Sequence, residues 1–238
     1  SPALKIGLPR ASFMFEYLPF WVTFFNELGC AVTLSPDSSG DVLEKGLKKL
    51  PAETCFPSKL AFGHVKSLLS MDVDWIFFPS LVDLHQNPDE STHLCPFCEH
   101  VPFMVRSVLE KRLLTPSVLF NSGAGDFVKS LGPIKKILGQ DDDSLESAYL
   151  EAWKAQESFR RKLRARGEKV LGQFMGKGFQ LWAVLGKPYN VHDGFLNLNL
   201  GKHLQKLEVL GLPIDFIPSK GDPLRDWESL LFWRYNQE

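Results

Sequence analysis

The sequence lacks the features that most directly indicate a membrane or nucleic-acid function. It contains no apolar run of the roughly 18 residues that a bilayer span requires. Its formal net charge is -1, so it has no overall field that would attract nucleic acid or an anionic membrane surface. We also recognise no secretory signal peptide in it. These absences predict a cytoplasmic protein that binds small molecules or other proteins, with neither nucleic acid nor a membrane as a partner.

Cysteine is scarce, and the motifs of common cofactor sites are incomplete. The chain has 4 cysteines, and in a reducing compartment such thiols are ligands, nucleophiles or core residues more often than disulfides. A single CxxC is present, without a second CxxC or a histidine pair at zinc-finger spacing. Residues 186–190 lack the GxxxxGK pattern of a nucleotide-binding loop, and residues 122–125 lack a dinucleotide fingerprint. The chain therefore shows no motif for direct binding of ATP or a dinucleotide.

What is present is an alternation of short apolar runs and helical patterns. Residues 5–9 form an apolar run closed by Pro9, and residues 14–28 carry apolar side chains at helical spacing. Gly29 stands where a helix is expected to stop, and residues 30–34 form a second apolar run. This opening predicts a βαβ unit with parallel strands.

The rest of the chain continues this alternation. It predicts strands over residues 75–78, 117–120, 181–185 and 213–217, and helices over 42–50, 54–69, 103–109, 196–210 and 227–233. A long charged helical pattern from Asp141 to about Lys177 is typical of a connector between lobes. The predicted fold class is therefore α/β, with two lobes of mainly parallel sheets flanked by helices. The domains are an N-terminal lobe carrying the cysteine segments (1–140), a charged helical connector (141–178) and the start of a second, truncated lobe (179–238).

The first cysteine segment, residues 53–59, places Cys55 at the predicted start of a helix. Thr54 is expected to cap this helix, and its first turn tolerates Pro57. Helix amides and the helix dipole favour a thiolate there, which would ready Cys55 to bind iron or zinc. The alternative is that Cys55 is a small buried hydrophobic residue, which is the interpretation we favour for Cys30.

The second segment, residues 95–98, is the CxxC formed by Cys95 and Cys98. We predict it in the loop after a strand, where open α/β sheets gather functional groups. It is compatible with half of a zinc site, a pair of cluster ligands, a redox dithiol or two thiols without a shared role. His85, His93 and His100 flank it and could supply a nitrogen ligand, whereas His64 is better explained as a histidine with satisfied hydrogen bonds.

Several segments together resemble the activase-related region of CoA-substrate-specific enzyme activases. That region is similar to the cluster-bearing components of 2-hydroxyacyl-CoA dehydratases and to double-cubane-cluster proteins. The matching segments occur in order over most of the chain, at residues 6–10, 19–21, 53–59, 63–65, 95–96 and 186–190.

The resemblance implies a pair of flavodoxin-like (Rossmann-like) lobes that hold an iron-sulfur cluster in the cleft between them. It implies that an ATP-hydrolysing activase, as a domain or subunit, passes low-potential electrons to this cluster for the reduction or dehydration of a substrate such as an acyl-CoA. Cys55 and Cys95 match cluster cysteines of the family, and Cys98 is a weaker third metal ligand. Lys187, Tyr189 and Asn190 are expected to line the cleft as substrate-binding wall groups.

The resemblance also implies that a ligand is missing, because a further family cysteine lies beyond the point where this chain ends. We therefore expect the chain to be a piece of a larger protein, inactive as an enzyme by itself, and free of the cluster or carrying an adventitious metal. The competing interpretation is a non-enzymatic module that binds a partner protein and keeps structural thiols or zinc.

Overall fold

The computed structural model describes residues 3–48, 54–83, 94–109, 112–120 and 123–217. The strands of this part are β1 (Lys5–Leu8), β2 (Ala31–Leu34), β3 (Trp75–Phe77), β4 (Ser80–Asp83), β5 (Leu113–Leu114), β6 (Ser117–Leu119), β7 (Gln180–Val184) and β8 (Val209–Pro213). Its α-helices are α1 (Leu18–Glu27), α2 (Gly40–Leu47), α3 (Phe56–Leu69), α4 (Pro96–Leu109), α5 (Gly123–Ser130), α6 (Gly132–Leu138), α7 (Asp142–Phe174), α8 (Pro188–His192) and α9 (Leu200–Lys206). Short 3-10 turns cover Ser12–Met14 and Ile214–Phe216.

Parallel strands flanked by helices form the sheets of the described chain, which confirms the α/β prediction. In the main sheet the strand order is β2-β1-β3-β5, and every pair is parallel. The predicted βαβ opening is present as β1, α1 and β2. This order is that of a flavodoxin-like, doubly wound sheet, in which the order of strands reverses between β1 and β3.

Proline interrupts two neighbouring strands of the sheet but does not end their pairing. Pro79 separates β3 from β4, and Pro116 separates β5 from β6. Across these breaks the amide of Phe78 donates to the carbonyl of Leu114 (2.9 Å), and the amide of Ser80 donates to that of Pro116 (2.9 Å). The parallel pair β4–β6 therefore extends the pairing of β3 with β5, and it carries the chain toward the second cysteine segment.

Aromatic side chains fill the core between α1, the sheet and α5. Phe20, Trp21, Phe24 and Phe25 of α1 are fully buried, as the helical spacing predicts. The ring of Trp21 lies 4.7 Å from that of Phe77, and it also contacts aromatic rings of Phe120 and Phe127. Burial of several such rings contributes much of the hydrophobic free energy of this lobe.

The long charged helix predicted from Asp141 is present as α7, and its N-terminal half packs on α1 and α5. Its buried face includes Leu145, Ala148 and Ala152. At the end of that face the buried Gln156 side chain accepts from the amide of Phe20 (3.3 Å) and donates to the carbonyl of Glu16 (3.1 Å). The first of these bonds satisfies an amide that the start of α1 would otherwise leave without a partner.

Three details of the predicted elements are wrong. Cys55, not Thr54, occupies the position before the first residue of α3, although Pro57 does lie in the first turn as expected. The helix predicted over 196–210 is present only as α9, because the side chains of Asp193 and Asn197 bind the amides of Phe195, Leu196 and Leu200 and hold that stretch in turns. The strand predicted over 213–217 is the last residue of β8 followed by a 3-10 turn.

The remaining predictions on organisation stay open. β7 and β8 pair in parallel as a second sheet, but the proposed domain boundaries stay predictions. The helix predicted over 227–233 lies outside the described residues. In the part of the chain that the structure describes, none of the helices has the length and hydrophobicity needed to cross a bilayer.

The crossing of α2 and α3 depends on a glycine. A Cβ atom on Gly63 of α3 would lie 1.8 Å from the carbonyl oxygen of Val42 in α2. That oxygen belongs to the backbone, so it cannot rotate away as the end of a flexible side chain would. Gly63 therefore sets how closely α3, which carries Cys55 at its start and His64 beside the glycine, approaches α2.

Replacing Gly63 by alanine is expected to destabilise the fold by about 2 kcal/mol or more, because the helices must separate to admit the methyl group. Urea unfolding followed by circular dichroism measures this loss. Gly172 of α7 provides the matched control, since a Cβ there meets no atom within 4 Å. Gly172→Ala should leave stability unchanged or raise it by up to about 1 kcal/mol through helix propensity. Equal stability of Gly63→Ala and the wild type would contradict the account.

A buried chain of hydrogen bonds joins the first sheet to the segment after α8. His64 is fully buried, its Nδ1 lies 2.8 Å from Ser35 Oγ, and its Nε2 lies 3.0 Å from Ser38 Oγ. Ser38 donates to the carboxylate of Asp193, and Ser35 accepts from the amide of Arg10 (2.9 Å).

These partners determine the protonation of His64. A carboxylate only accepts, so the Ser38 hydroxyl donates to Asp193 and its oxygen accepts from Nε2–H. Ser35 accepts the Arg10 amide and donates its own proton to the bare Nδ1. Burial is the largest influence on the ring and lowers the pKa of His64 to about 4, with Asp193 acting in the opposite direction. His64 is thus a neutral histidine with satisfied hydrogen bonds, as the sequence predicted.

The lowered pKa makes stability depend on pH between about 6.5 and 4. In that window His64 binds a proton in the unfolded chain but stays unprotonated in the folded chain. The free energy of unfolding therefore falls as the pH falls. The protonation of His64 lowers the free energy of unfolding by roughly 3 kcal/mol over the whole window. His64→Gln should be less stable than wild type at pH 7 and should lose less stability on acidification, as measured by urea unfolding at each pH.

His203→Gln, which changes an exposed histidine of α9, is the control and should follow the wild-type profile. Parallel stability curves for wild type and His64→Gln between pH 7 and pH 4 would rule out a neutral, buried His64.

Candidate functional site

The predicted metal-binding thiols gather at the carboxyl-terminal edge of the main sheet. The 3-10 turn Ser12–Met14 follows β1, and the second cysteine segment lies at the start of α4. The Sγ atom of Cys98 lies 3.2 Å from the hydroxyl of Tyr189 in α8 and also bonds with Ser12. We call the group formed by Cys55, Cys95, Cys98, Lys187 and Tyr189 the thiol site.

The prediction that the CxxC lies in a loop is wrong, because α4 begins within it. Cys95 precedes the first helical residue, Pro96, and its carbonyl accepts from the amides of Cys98 (2.8 Å) and Glu99 (3.1 Å). The Glu99 carboxylate turns back to accept from the amide of Leu94 (2.9 Å). A proline is tolerated at the first helical position, and an acidic side chain three or four residues on stabilises such a start. The helix therefore starts between the two thiols.

Cys95 occupies the environment that favours a thiolate. Burial acts to raise the pKa of Cys95, but the amides of Phe97 and Cys98 and the ammonium of Lys187 outweigh burial and lower this pKa below its ordinary value. Amide donors at a helix start together with a nearby cation commonly activate cysteines in this way. Of the two thiols of the CxxC, Cys95 is the one primed for metal binding or nucleophilic chemistry.

Cys98 and Tyr189 behave in the opposite way. Burial raises the pKa of Cys98, even though Ser12, Tyr189 and Lys187 act to lower it. Burial also raises the pKa of Tyr189, and the neighbouring sulfurs of Cys98, Cys95 and Cys55 raise it further. Tyr189 is therefore a phenol that keeps its proton at neutral pH and can donate a hydrogen bond to sulfur.

Cys55 is the exposed member of the thiol site. It stands immediately before α3, with its Sγ atom 3.1 Å from the hydroxyl of Ser58. The next residue, Phe56, stacks on Phe195 from the segment after α8 (6.2 Å between ring centroids). This stacking holds the start of α3 against the part of the chain that carries Tyr189.

The residues predicted to line a cleft take different positions. Tyr189 is buried and meets the ring of Phe13 edge to face, with centroids 5.4 Å apart. Lys187 is half-buried, its Nζ atom 6.0 Å from the centroid of the same Phe13 ring. The side chain of Asn190 is exposed, and its backbone N–H donates to the carbonyl of Lys187 (2.8 Å). Lys187 and Tyr189 thus belong to the thiol site, whereas Asn190 faces solvent.

Sequence analysis missed Ser12 and Phe13. Ser12 is buried beside Cys98 and adopts a left-handed backbone conformation, with φ of 53°, which is strained for a residue other than glycine. Both residues line a cavity of about 10 Å³ next to Cys98, enough for roughly one water molecule. Their position directly after β1, at the reversal of strand order, was the available signal.

The donor chemistry of the thiol site fits an iron-sulfur cluster, because thiolates are its usual ligands. The described residues alone do not complete a ligand set, since among them no group of three or more Cys, His, Asp or Glu side chains is arranged to hold a metal ion. His100 is exposed on α4 with its Nδ1 2.8 Å from the carbonyl of Pro96. Cys30 is buried in the core, as predicted. His85 and His93 lie outside the described residues.

Comparison with known proteins identifies a family over most of the chain. The model of the CoA enzyme activase uncharacterised domain matches residues 5–217, a range that includes every member of the thiol site. No curated protein and no solved structure matches the chain. The family match covers far more than half of the sequence, and the resemblance noted from its segments is confirmed. The chain therefore belongs to the CoA enzyme activase uncharacterised domain family.

Proposed function

We propose that this chain belongs to an iron-sulfur protein of the 2-hydroxyacyl-CoA dehydratase or activase-related type, and that Cys55 and Cys95 supply thiolate ligands to its cluster. The observation that supports this most is the convergence of thiols from two helix starts, those of α3 and α4, on Tyr189. A cluster of this kind supplies single electrons at low potential when it is bound.

The electrostatics of the thiol site suit an anionic group. Two helix N-termini direct backbone amides toward it, and each carries a partial positive charge. Lys187 adds a full positive charge close to Cys95 and Cys98. These contributions offset the cost of keeping several thiolates together in a partly buried place.

Two uncharged residues, Tyr189 and Phe13, determine the surroundings of Cys98 in the thiol site. The Tyr189 hydroxyl lies 3.2 Å from the Cys98 sulfur, and the Phe13 ring packs against Tyr189, so both residues limit the access of solvent to that thiol. Hydrogen bonds to ligand sulfur atoms and exclusion of water are the main means by which a protein adjusts a cluster's potential. Cys98 is the third candidate ligand, although its enclosure makes it less open to metal than Cys95.

The family description supports a role with enzymes that act on CoA substrates. We infer that an ATP-hydrolysing activase domain or subunit delivers electrons to the thiol site, and that the substrate is an acyl-CoA or a related small molecule. We further infer that the cluster needs a ligand from outside these 238 residues. The 238-residue chain by itself should therefore retain less iron than a longer chain that contains it.

Iron and acid-labile sulfide analysis of protein purified without oxygen tests this proposal. We expect iron, sulfide and a charge-transfer absorption in the longer protein, and loss of at least half of the iron in Cys55→Ser and in Cys95→Ser. Cys30→Ala is the control, because Cys30 is buried in the core away from the thiol site, and it should keep the full content.

Two outcomes would contradict the proposal. Absence of absorption and sulfide from the longer protein would exclude the cluster, and one zinc ion per chain that depends on Cys95 would favour a structural thiol site. Stoichiometric four-iron content in the 238-residue chain alone would contradict the inference that ligands come from elsewhere.

A further inference from the structure

Cys95 and Cys98 hold the relative positions that allow a disulfide across a helix start. Cys95 is the residue before α4, and Cys98 is the third helical residue. Side chains at these two positions face one another, as they do when a capping side chain reaches the third residue of its helix. The carbonyl of Cys95 accepts from the amide of Cys98 (2.8 Å), which holds the two residues one helical turn apart, and their side chains lie near enough for each sulfur to influence the pKa of the other.

The two thiols differ in access. Cys98 lies deeper than Cys95, contacts the hydroxyl of Tyr189 (3.2 Å) and lines a small cavity together with Ser12 and Leu81. Cys95 is more open and receives the amides of Phe97 and Cys98 at its sulfur. Cys95 is therefore placed to meet an incoming molecule first, with Cys98 one helical turn behind it.

We propose that Cys95 and Cys98 form a reversible dithiol–disulfide pair that exchanges two electrons with a disulfide substrate, with Cys95 as the attacking thiol and Cys98 as the resolving thiol. The Cys95 thiolate attacks one sulfur of the substrate disulfide, forms a mixed disulfide and releases the first thiolate. Cys98 loses its proton and attacks the Cys95 sulfur, which forms the Cys95–Cys98 bond and releases the second thiolate. The dithiol is oxidised by two electrons, and the substrate is reduced to two thiols.

This activity goes beyond the proposed function and does not depend on it. The oxidised pair has no thiolate to offer a metal, so the two uses of Cys95 exclude each other at any moment. Metal-free protein tests the pair directly, and its result is independent of whether the longer protein contains iron.

The test uses the full 238-residue chain, reduced and freed of metal, in buffers of defined ratios of reduced to oxidised glutathione. Acid quenching and alkylation of free thiols are followed by intact-mass measurement and peptide mapping. In wild type we expect loss of two alkylation sites, mapped to a Cys95–Cys98 bond without glutathione attached. In Cys98→Ser a glutathione adduct should accumulate on Cys95, because the resolving thiol is gone.

In Cys95→Ser, oxidised glutathione should modify Cys98 at least tenfold more slowly than wild type forms its internal bond, since Cys98 lies deeper than Cys95. Cys30→Ala is the matched control and should behave as wild type. The proposal is overturned if wild type accumulates glutathione on Cys95 without the internal bond, if Cys55 rather than Cys98 bonds to Cys95, or if Cys95→Ser is modified as fast as wild type. Circular dichroism of each variant separates these outcomes from misfolding.

Discussion

The parallel pairing of β1 with β3 is the constraint on which the thiol site depends. It sets the turn after β1 beside the start of α4, because parallel strands present their carboxyl ends at one edge of the sheet. Ser12 then reaches Cys98 from a strained backbone position, and Phe13 provides the ring on which Tyr189 rests. Without this pairing the second cysteine segment would have no neighbour from the first strand, and the enclosure of Cys98 would be lost.

Amides at a helix start favour a charged group at one residue, whereas burial favours a neutral group at another. At α4 the amides and Lys187 favour a charged sulfur at Cys95. On α3, nine residues beyond Cys55 in the printed sequence, burial keeps His64 neutral, and its two serine partners lead to Asp193. The segment that bears Tyr189 is thereby held at both ends, by sulfur on one side and by a carboxylate on the other. The position of Tyr189 beside Cys98 thus depends on contacts at both ends of this segment.

The sequence was informative where local pattern decides structure. Helical spacing identified α1 and α7, and apolar runs identified β1, β2 and β3, because burial of one face repeats with the period of the element. The contact between Cys98 and Tyr189 joins residues 91 positions apart, and no local pattern encodes such a distance. The start of α4 was missed because it depends on Glu99 turning back to Leu94. The helix around α9 was predicted too long because Asp193 and Asn197 compete with the helix for amides. Ser12 carries no motif, and only the topology of the sheet reveals its place.

Gln156 marks the point at which α7 is bonded to the start of α1. Its side chain bonds a carbonyl and an amide at the start of α1, so sliding this 33-residue helix by one residue would break both bonds, and Arg160 adds a bond to the hydroxyl of Tyr17 (3.0 Å). Beyond Gln156 the helix continues for roughly 27 Å to Phe174, at about 1.5 Å per residue. A tilt of about 5° at Gln156 therefore moves the far end, and the strand that follows it, by roughly 2 Å. Because α7 also packs on the turn Ile214–Phe216 after β8, such a tilt would displace that turn as well.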